Sequence, residues 1–244
     1  MTERCNIATQ KDRAMPTVQK KRMLHRLLAH HIALSMLCGT FLFLLYRALP
    51  QRDAIWKLSL VTAYAALILL TATLAIGPWN VFFRRRNPVS SDLRRDIGIW
   101  AGILCIAHTA IGLDVHLRGR PWLYFVYART EAHWFPLRHD LFGFANDTGL
   151  IGTLLLLMLF ATSNDASLRR LGTPRWKKLQ RWNYAVFFLV ALHGAAYQTI
   201  ETQKTPFVAT LVLCVTLTAA FQTTGFYLRR RQLNPDNAQS PEKV

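Results

Sequence analysis

Two long stretches without a charged residue constrain the fold of this chain more than any other feature. Residues 58–83 and 205–228 contain no Asp, Glu, Lys or Arg. A helix needs about 20 mostly apolar residues to cross the hydrocarbon of a membrane, where only helices and closed barrels satisfy their own backbone hydrogen bonds. The sequence therefore predicts an integral membrane protein built from α-helices.

Six segments of the chain have this apolar character, and the third, fourth and fifth are shorter than the others. The chain of 244 residues is 52% apolar and 18% charged, and its charges cluster between the segments. We therefore predict an all-α, polytopic membrane protein with a bundle of six transmembrane helices. The predicted helices are residues 31–49, 58–78, 97–113, 148–164, 183–200 and 205–228.

The distribution of Lys and Arg predicts the orientation of the bundle. Of the 30 Lys and Arg residues, 22 fall on the side that holds both termini and eight on the other side. Because these residues concentrate on the cytoplasmic side of membranes, both termini are predicted to be cytoplasmic. The net charge of +17 follows from this asymmetry. It is expected to attract anionic lipid rather than a nucleic acid.

The bundle is predicted to span residues 27–228, flanked by a basic, disordered cytoplasmic arm (1–26) and a cytoplasmic tail (229–244). The arm has no apolar core of a cleavable signal peptide, so the first helix is expected to direct insertion. No dinucleotide-binding or P-loop motif is present in the sequence. A flavin or nucleotide is therefore expected only through a partner.

The connection over residues 114–147 is the longest, and it is rich in aromatic residues. These are Trp122, Tyr124, Phe125, Tyr127 and Trp134. They suit an aromatic belt in the membrane interface, or a docking face for a partner on the outer side. At the end of this connection, Asp147 and Thr148 are predicted to cap the fourth helix. Gly98 and Gly102 form a GxxxG on the third helix, which lets a backbone or a flat cofactor approach.

Of the eight histidines, His108 and His193 lie deep in predicted apolar helices. An ionisable side chain within the membrane is costly and usually functional, although a lone imidazole can also bond a backbone carbonyl. His108 follows Arg94 by 14 residues and His193 follows Lys178 by 15. On two helices of the same direction, both imidazoles then stand roughly 21–23 Å above these basic residues. Two neutral imidazoles at one depth suit six-coordinate haem iron.

Three motifs give residues 92–200 a resemblance to the ferric reductase-like transmembrane family. Within that family, the chain is most similar to haem-binding membrane subunits of bacterial periplasmic methionine sulfoxide reductase systems. The motifs are RRDIGIWAGILCIAH (94–108), TSNDASLRRLGTPRWKKLQRWNY (162–184) and LVALHG (189–194).

The resemblance implies a bundle of ferric-reductase type in the bacterial inner membrane. It also implies that His108 and His193 are the ligands of a b-type haem. The family carries electrons from a cytosolic flavin reductase or reduced flavin, and the acceptor on the outer side is expected to be a periplasmic oxidoreductase.

The chain departs from the family pattern at one position. A second histidine stands 13 residues before the deep one in the family, and here that position is Gln180. Because glutamine is a poor haem ligand, we predict one haem b per chain. His25, His30 and His31 could supply a replacement ligand or form an interfacial cluster. His116 is predicted to be a residue of the outer loop rather than a ligand.

A basic rim is predicted at the cytoplasmic end of the bundle. It sets the topology, or it steers a flavoprotein or pairs with haem propionates. Its members are Arg94, Arg95, Arg169, Arg170, Lys177 and Lys178. Two other functions stay open. The chain could be the membrane part of a ferric or cupric reductase, or a non-redox membrane partner that has lost part of its haem machinery, as Gln180 would allow.

The predicted orientation is tested by a reporter fusion. Alkaline phosphatase, which is active only outside the cytoplasm, should be inactive when it is fused after Val244. The same enzyme inserted after Arg129, in the predicted outer loop, should be active and serves as the control. An active fusion after Val244 would contradict the cytoplasmic placement of both termini.

Overall fold

The computed structural model describes residues 17–50, 52–83, 88–117, 119–201 and 205–233. These ranges form seven α-helices: α1 (Thr17–Ala48), α2 (Ala54–Phe82), α3 (Pro88–Gly112), α4 (Leu141–Ala161), α5 (Asp165–Gln180), α6 (Asn183–Ile200) and α7 (Thr205–Leu233). Two short 3₁₀ helices, Pro121–Tyr124 and Thr130–Ala132, lie between α3 and α4. The predicted all-α class is confirmed.

Four helices in the described residues are long and apolar enough to cross a membrane. They are Leu28–Ala48, Ala54–Phe82, Leu141–Ala161 and Thr205–Arg231. The prediction of a helical membrane protein is therefore confirmed, but not the count of six crossings. Helices α3 and α6 form close to where they are predicted, yet both are more polar. Arg94, Arg95 and Asp96 stand in α3, and α6 has only 18 residues, His193 among them.

The chain divides into two compact units, residues 1–41 and 42–244. In the first unit, the described residues are helical from Thr17 onward. The prediction of a disordered arm over 1–26 is therefore wrong for residues 17–26, which continue the first apolar helix towards the N-terminus. Residues 1–16 of that arm and residues 234–244 of the predicted tail lie outside the described residues.

Helix α4 begins at Leu141 rather than at the predicted residue 148. Its N-cap is Asp140, whose Oδ1 accepts a hydrogen bond from the N–H of the third helical residue at 2.8 Å. The predicted caps Asp147 and Thr148 are wrong, because both lie inside the helix. The hydroxyl of the buried Thr148 donates to the carbonyl of Phe144 at 2.9 Å, so it is satisfied by the preceding turn.

Helix α5 occupies the segment between the predicted fourth and fifth transmembrane helices. The side chain of Asn164 caps its N-terminus by accepting a bond from the N–H of Ser167 at 2.8 Å. A kink divides the helix at Gly172, whose positive φ lies in the left-handed region that glycine adopts readily. Pro174 follows and removes a backbone donor. The result is a short, bent, basic helix between α4 and α6.

Helix α2 is the centre of the larger unit. It packs against α3 and α7, while α4 packs against α6. Half of its apolar window is buried inside the protein, against 17% for α7. The outer faces of α4 and α7 stay apolar: Leu154, Val212 and Leu213 are each more than half exposed. Apolar surface of this extent suits contact with lipid. Packing on α2 and α4 sets the positions of the two helices that carry His108 and His193.

The stability that the N-cap of α4 contributes depends on pH. A hydrogen bond from Arg138 and then one from the N–H of Gly143 hold the pKa of Asp140 below its usual range. The charged carboxylate therefore stabilises the fold above its unfolded pKa of about 4, and this contribution is lost as the pH falls through the lower folded pKa. We predict that Asp140→Ala lowers the free energy of unfolding at pH 7 by about 1 kcal/mol.

Thermal unfolding of the purified protein in detergent measures this effect. The difference in unfolding free energy between wild type and Asp140→Ala should decrease as the pH falls below about 4. Asp140→Asn, which keeps a good cap and loses the charge, should be less destabilised at neutral pH. A difference in unfolding free energy that stays constant across the pH range would contradict the stabilising role of the charged carboxylate.

Candidate functional site

The imidazole of His108 is held against α2. Its Nδ1 lies 3.0 Å from the carbonyl oxygen of Ser59 and 3.3 Å from the hydroxyl of the same residue. A carbonyl oxygen only accepts, so this contact assigns the proton to Nδ1. The neutral ring then keeps its lone pair on Nε2. A histidine that ligates a metal is usually oriented by such a bond from its other nitrogen.

The imidazole of His193 is held against α4 in the same manner. Its Nδ1 lies 2.8 Å from the carbonyl oxygen of Ala145. This contact again assigns the proton to Nδ1 and leaves the lone pair on Nε2. Gly149 makes the approach feasible, since a Cβ at that position would lie 2.7 Å from Nδ1 of His193. Helices α3 and α6 thus each present one imidazole with a free Nε2 lone pair.

The structure brings these two imidazoles together. Their ring centroids are 6.0 Å apart, and the ring planes are inclined by 74°. Two metal–nitrogen bonds of about 2 Å each, in line through an iron, hold two imidazole centroids roughly 6 Å apart. The donor set and the spacing fit the axial positions of a haem iron. Ligation of a haem by His108 and His193 stays a prediction.

A cavity of about 240 Å³ surrounds the histidine pair. Its apolar end is lined by Leu67, Leu70, Val190 and Leu211, and its polar end by Trp56, His116, Tyr197, Gln198 and Glu201. The two sets lie on opposite sides of His193 along α6: Val190 precedes His193 in the sequence, and Glu201 follows it. The cavity is therefore amphipathic along the bundle axis. In the described residues, no three side chains of His, Cys, Asp or Glu are grouped to hold a bare metal ion.

His116 belongs to the polar end of this cavity. It lies on the turn after α3, as predicted for a loop residue, but its side chain is only 30% exposed. Its ring stacks on Tyr197 at a centroid distance of 6.2 Å, and Tyr197 lies 4.9 Å from the ring of His193. Its Nε2 is 3.2 Å from a carboxylate oxygen of Glu201. An aromatic contact thus connects His193 with His116.

Sequence reasoning did not identify the residues that support the pair. Ser59 and Ala145 act through backbone carbonyls, and Gly149 acts through its missing side chain, so none carries a chemical signature in the sequence. Tyr197 stands one helical turn after His193, and that spacing could have indicated it. Its hydroxyl donates to Oδ1 of Asn146 at 2.7 Å, which ties α6 to α4.

Gln180 is not part of the histidine pair. It ends α5, and its Nε2 donates to the hydroxyl of Ser163 at 3.4 Å. Its carboxamide oxygen accepts a bond from Asn183 at 3.2 Å. Gln180 therefore joins the end of α4, the end of α5 and the start of α6. This is a structural role that needs no haem.

Other predicted residues lie elsewhere. His30 and His31 stand in the part of α1 that belongs to the first unit, and the side chain of His25 lies outside the described residues. In the basic rim, Arg95 pairs with Asp165 at 2.6 Å.

The GxxxG on α3 packs on side chains. A Cβ on Gly98 would meet Thr73 at 3.6 Å, and one on Gly102 would meet Phe160 at 2.8 Å. The two glycines thus accommodate the side chains of α2 and α4 and do not line the cavity around the histidine pair.

These features define a multi-pass helical membrane protein with a part-buried pair of histidines. The chain is 32% identical over 165 residues to the protein-methionine-sulfoxide reductase heme-binding subunit MsrQ of Deinococcus radiodurans. The matched region covers 66% of this chain and 72% of that relative. The chain belongs to the family of that subunit. No family model matches the chain. The likeness to the methionine sulfoxide reductase subunits is thereby confirmed, while the wider likeness to ferric reductases stays a prediction.

Proposed function

We propose that this protein is a b-type haem subunit of the bacterial inner membrane that carries electrons towards an acceptor on the outer side. The haem would be held by His108 and His193 and would supply one-electron redox chemistry. The observation that supports this most is the pairing of two imidazoles at 6.0 Å, each oriented by a backbone carbonyl. The heme-binding function in the name of the relative supports it independently.

The depth of the pair supports an acceptor on the outer side. We propose that α3 and α6 cross the membrane with the four apolar helices, which makes six crossings with both termini in the cytoplasm. In this orientation, the end of helix α3 at Gly112 would lie on the outer side. From the rise of an α-helix, His108 then stands about 6 Å before that end, while Arg94 lies about 21 Å from His108 towards the cytoplasm. The pair is nearer to the outer surface than to any cytosolic reductant.

The electron donor and acceptor are proposed to be separate proteins or cofactors. Its sequence carries no flavin or nicotinamide motif, so a cytosolic flavin reductase or reduced flavin would supply the electrons. The acceptor would be an oxidoreductase on the outer side. By the name of the relative, a methionine sulfoxide reductase is the candidate.

Haem stoichiometry tests the ligand assignment. The purified protein should contain about one haem b per chain in a pyridine haemochrome assay. Its absorption spectrum without pyridine should be low-spin, because both proposed ligands are imidazoles. His108→Ala and His193→Ala should each remove most of the haem, while the matched substitution Gln180→Ala should leave it in place. Two haems in the wild type would contradict the single site and point to His30 or His31. Haem retained in both histidine variants would contradict the assignment itself.

A second test addresses the support of His193. Gly149→Ala places a methyl group 2.7 Å from the imidazole and should displace it. We expect this displacement to weaken haem retention by roughly 10–100-fold. Gly152→Ala is the matched control on the same helix, since its new methyl group would meet Leu189 at an ordinary 3.5 Å. Competition for bound haem by apomyoglobin measures the loss, with thermal unfolding as a check of folding. Equal retention in both variants would show that the close approach of α4 has no part in holding the ring.

A further inference from the structure

We propose that helix α5 lies along the membrane surface and binds the phosphate groups of anionic phospholipids through its basic face. This inference is independent of the proposed haem site. The basic face consists of four exposed side chains, those of Arg169, Arg170, Lys177 and Lys178. None of the four forms an ion pair with a residue that the structure describes. The positive charge of this face is therefore available to a partner.

The sequence of α5 repeats one pattern on the two sides of its kink at Gly172. Two basic residues stand between two apolar ones in each half, as LRRL over 168–171 and as WKKL over 176–179. Residues three apart lie on the same side of a helix, so the apolar pair of each half shares one face and the basic pair lies on the other. The four apolar side chains are partly buried, while the four basic ones are exposed. Both halves of the bent helix thus turn a basic face outward.

The position of α5 follows from α4, which is long and apolar enough to cross a membrane and ends at Ala161, shortly before α5 begins. Two hydrogen bonds return the second half of α5 to this point. Nε1 of Trp176 donates to the carbonyl of Thr162 at 2.9 Å, and Nε2 of Gln180 donates to the hydroxyl of Ser163 at 3.4 Å. Because both ends of the bent helix are held at the end of α4, α5 stays at the level where α4 leaves the membrane.

The surroundings of the basic face favour lipid over an acidic protein as the partner. Trp182, which follows α5 directly, is 52% exposed, and Tyr184 is also exposed. These residue types concentrate at the level of the lipid headgroups. The basic face itself carries no exposed large apolar side chain, whereas the centre of a protein interface is usually apolar or aromatic and poor in Lys. Long basic side chains beside a membrane reach the phosphates of anionic lipids and form charge-assisted hydrogen bonds with them.

The test measures the lipid preference of the full-length protein in detergent micelles. The protein is equilibrated with equal amounts of phosphatidylglycerol, which is anionic, and phosphatidylcholine, which has no net charge. The phospholipid that the protein retains after gel filtration is then quantified by mass spectrometry. Wild type should retain at least about ten times more phosphatidylglycerol, since each basic residue near an anionic surface strengthens binding several-fold. Arg169→Gln combined with Arg170→Gln, and Lys177→Gln combined with Lys178→Gln, should each lose most of this preference.

A matched control separates the face of α5 from positive charge in general. Arg120→Gln combined with Arg129→Gln removes the same charge from two exposed residues between α3 and α4, and it should keep the preference. Thermal unfolding checks that each variant is folded. Equal retention of both phospholipids by wild type, or a preference that survives in both α5 variants, would overturn the inference and leave the basic face to an acidic protein partner. An equal loss in the control variant would also overturn it, because lipid would then respond to total charge.

Discussion

Two hydrogen bonds from imidazole to backbone carbonyl are the contacts on which the site depends. A charged imidazolium would be costly between apolar helices, and an unbonded neutral ring would leave a buried N–H unsatisfied. The carbonyls of Ser59 and Ala145 resolve both problems by accepting from Nδ1. Each bond also assigns the tautomer, so the Nε2 lone pair becomes the only basic position left on each ring. Helices α2 and α4 thus prepare the rings that α3 and α6 carry.

The two helices that carry His108 and His193 are not among the four that are long and apolar enough to cross a membrane. Helices α2, α4 and α7 are apolar enough to cross a membrane by composition, and α3 and α6 are not among the candidates. Helices α3 and α6 contain His108, His193 and polar residues near their ends, which lower their hydropathy. They pack against α2 and α4 rather than rely on lipid contact along their whole length.

The class of fold and the proximity of the two histidines could be predicted from the sequence, because both depend on patterns among residues that are close in the sequence. Charge-free stretches predict helices in a membrane. Spacings of 14 residues from Arg94 to His108 and 15 from Lys178 to His193 predict nearly the same depth for the two histidines. Contacts between distant residues could not be predicted in this way. Gln198 meets Tyr64 across 134 positions of sequence. Asn146 belongs to a stretch typical of a helix start, yet it lies within α4, where its amide donates to the carbonyls of Phe142 and Tyr124.

His108 and His193 are proposed to ligate one haem iron. Electron paramagnetic resonance of the oxidised, purified protein tests this most directly, because the spectrum reports the spin state of the ferric iron. If an imidazole nitrogen from each of His108 and His193 binds the haem iron, the protein should give a low-spin ferric signal. A high-spin ferric signal as the main species of the wild type would contradict ligation of the haem by His108 and His193.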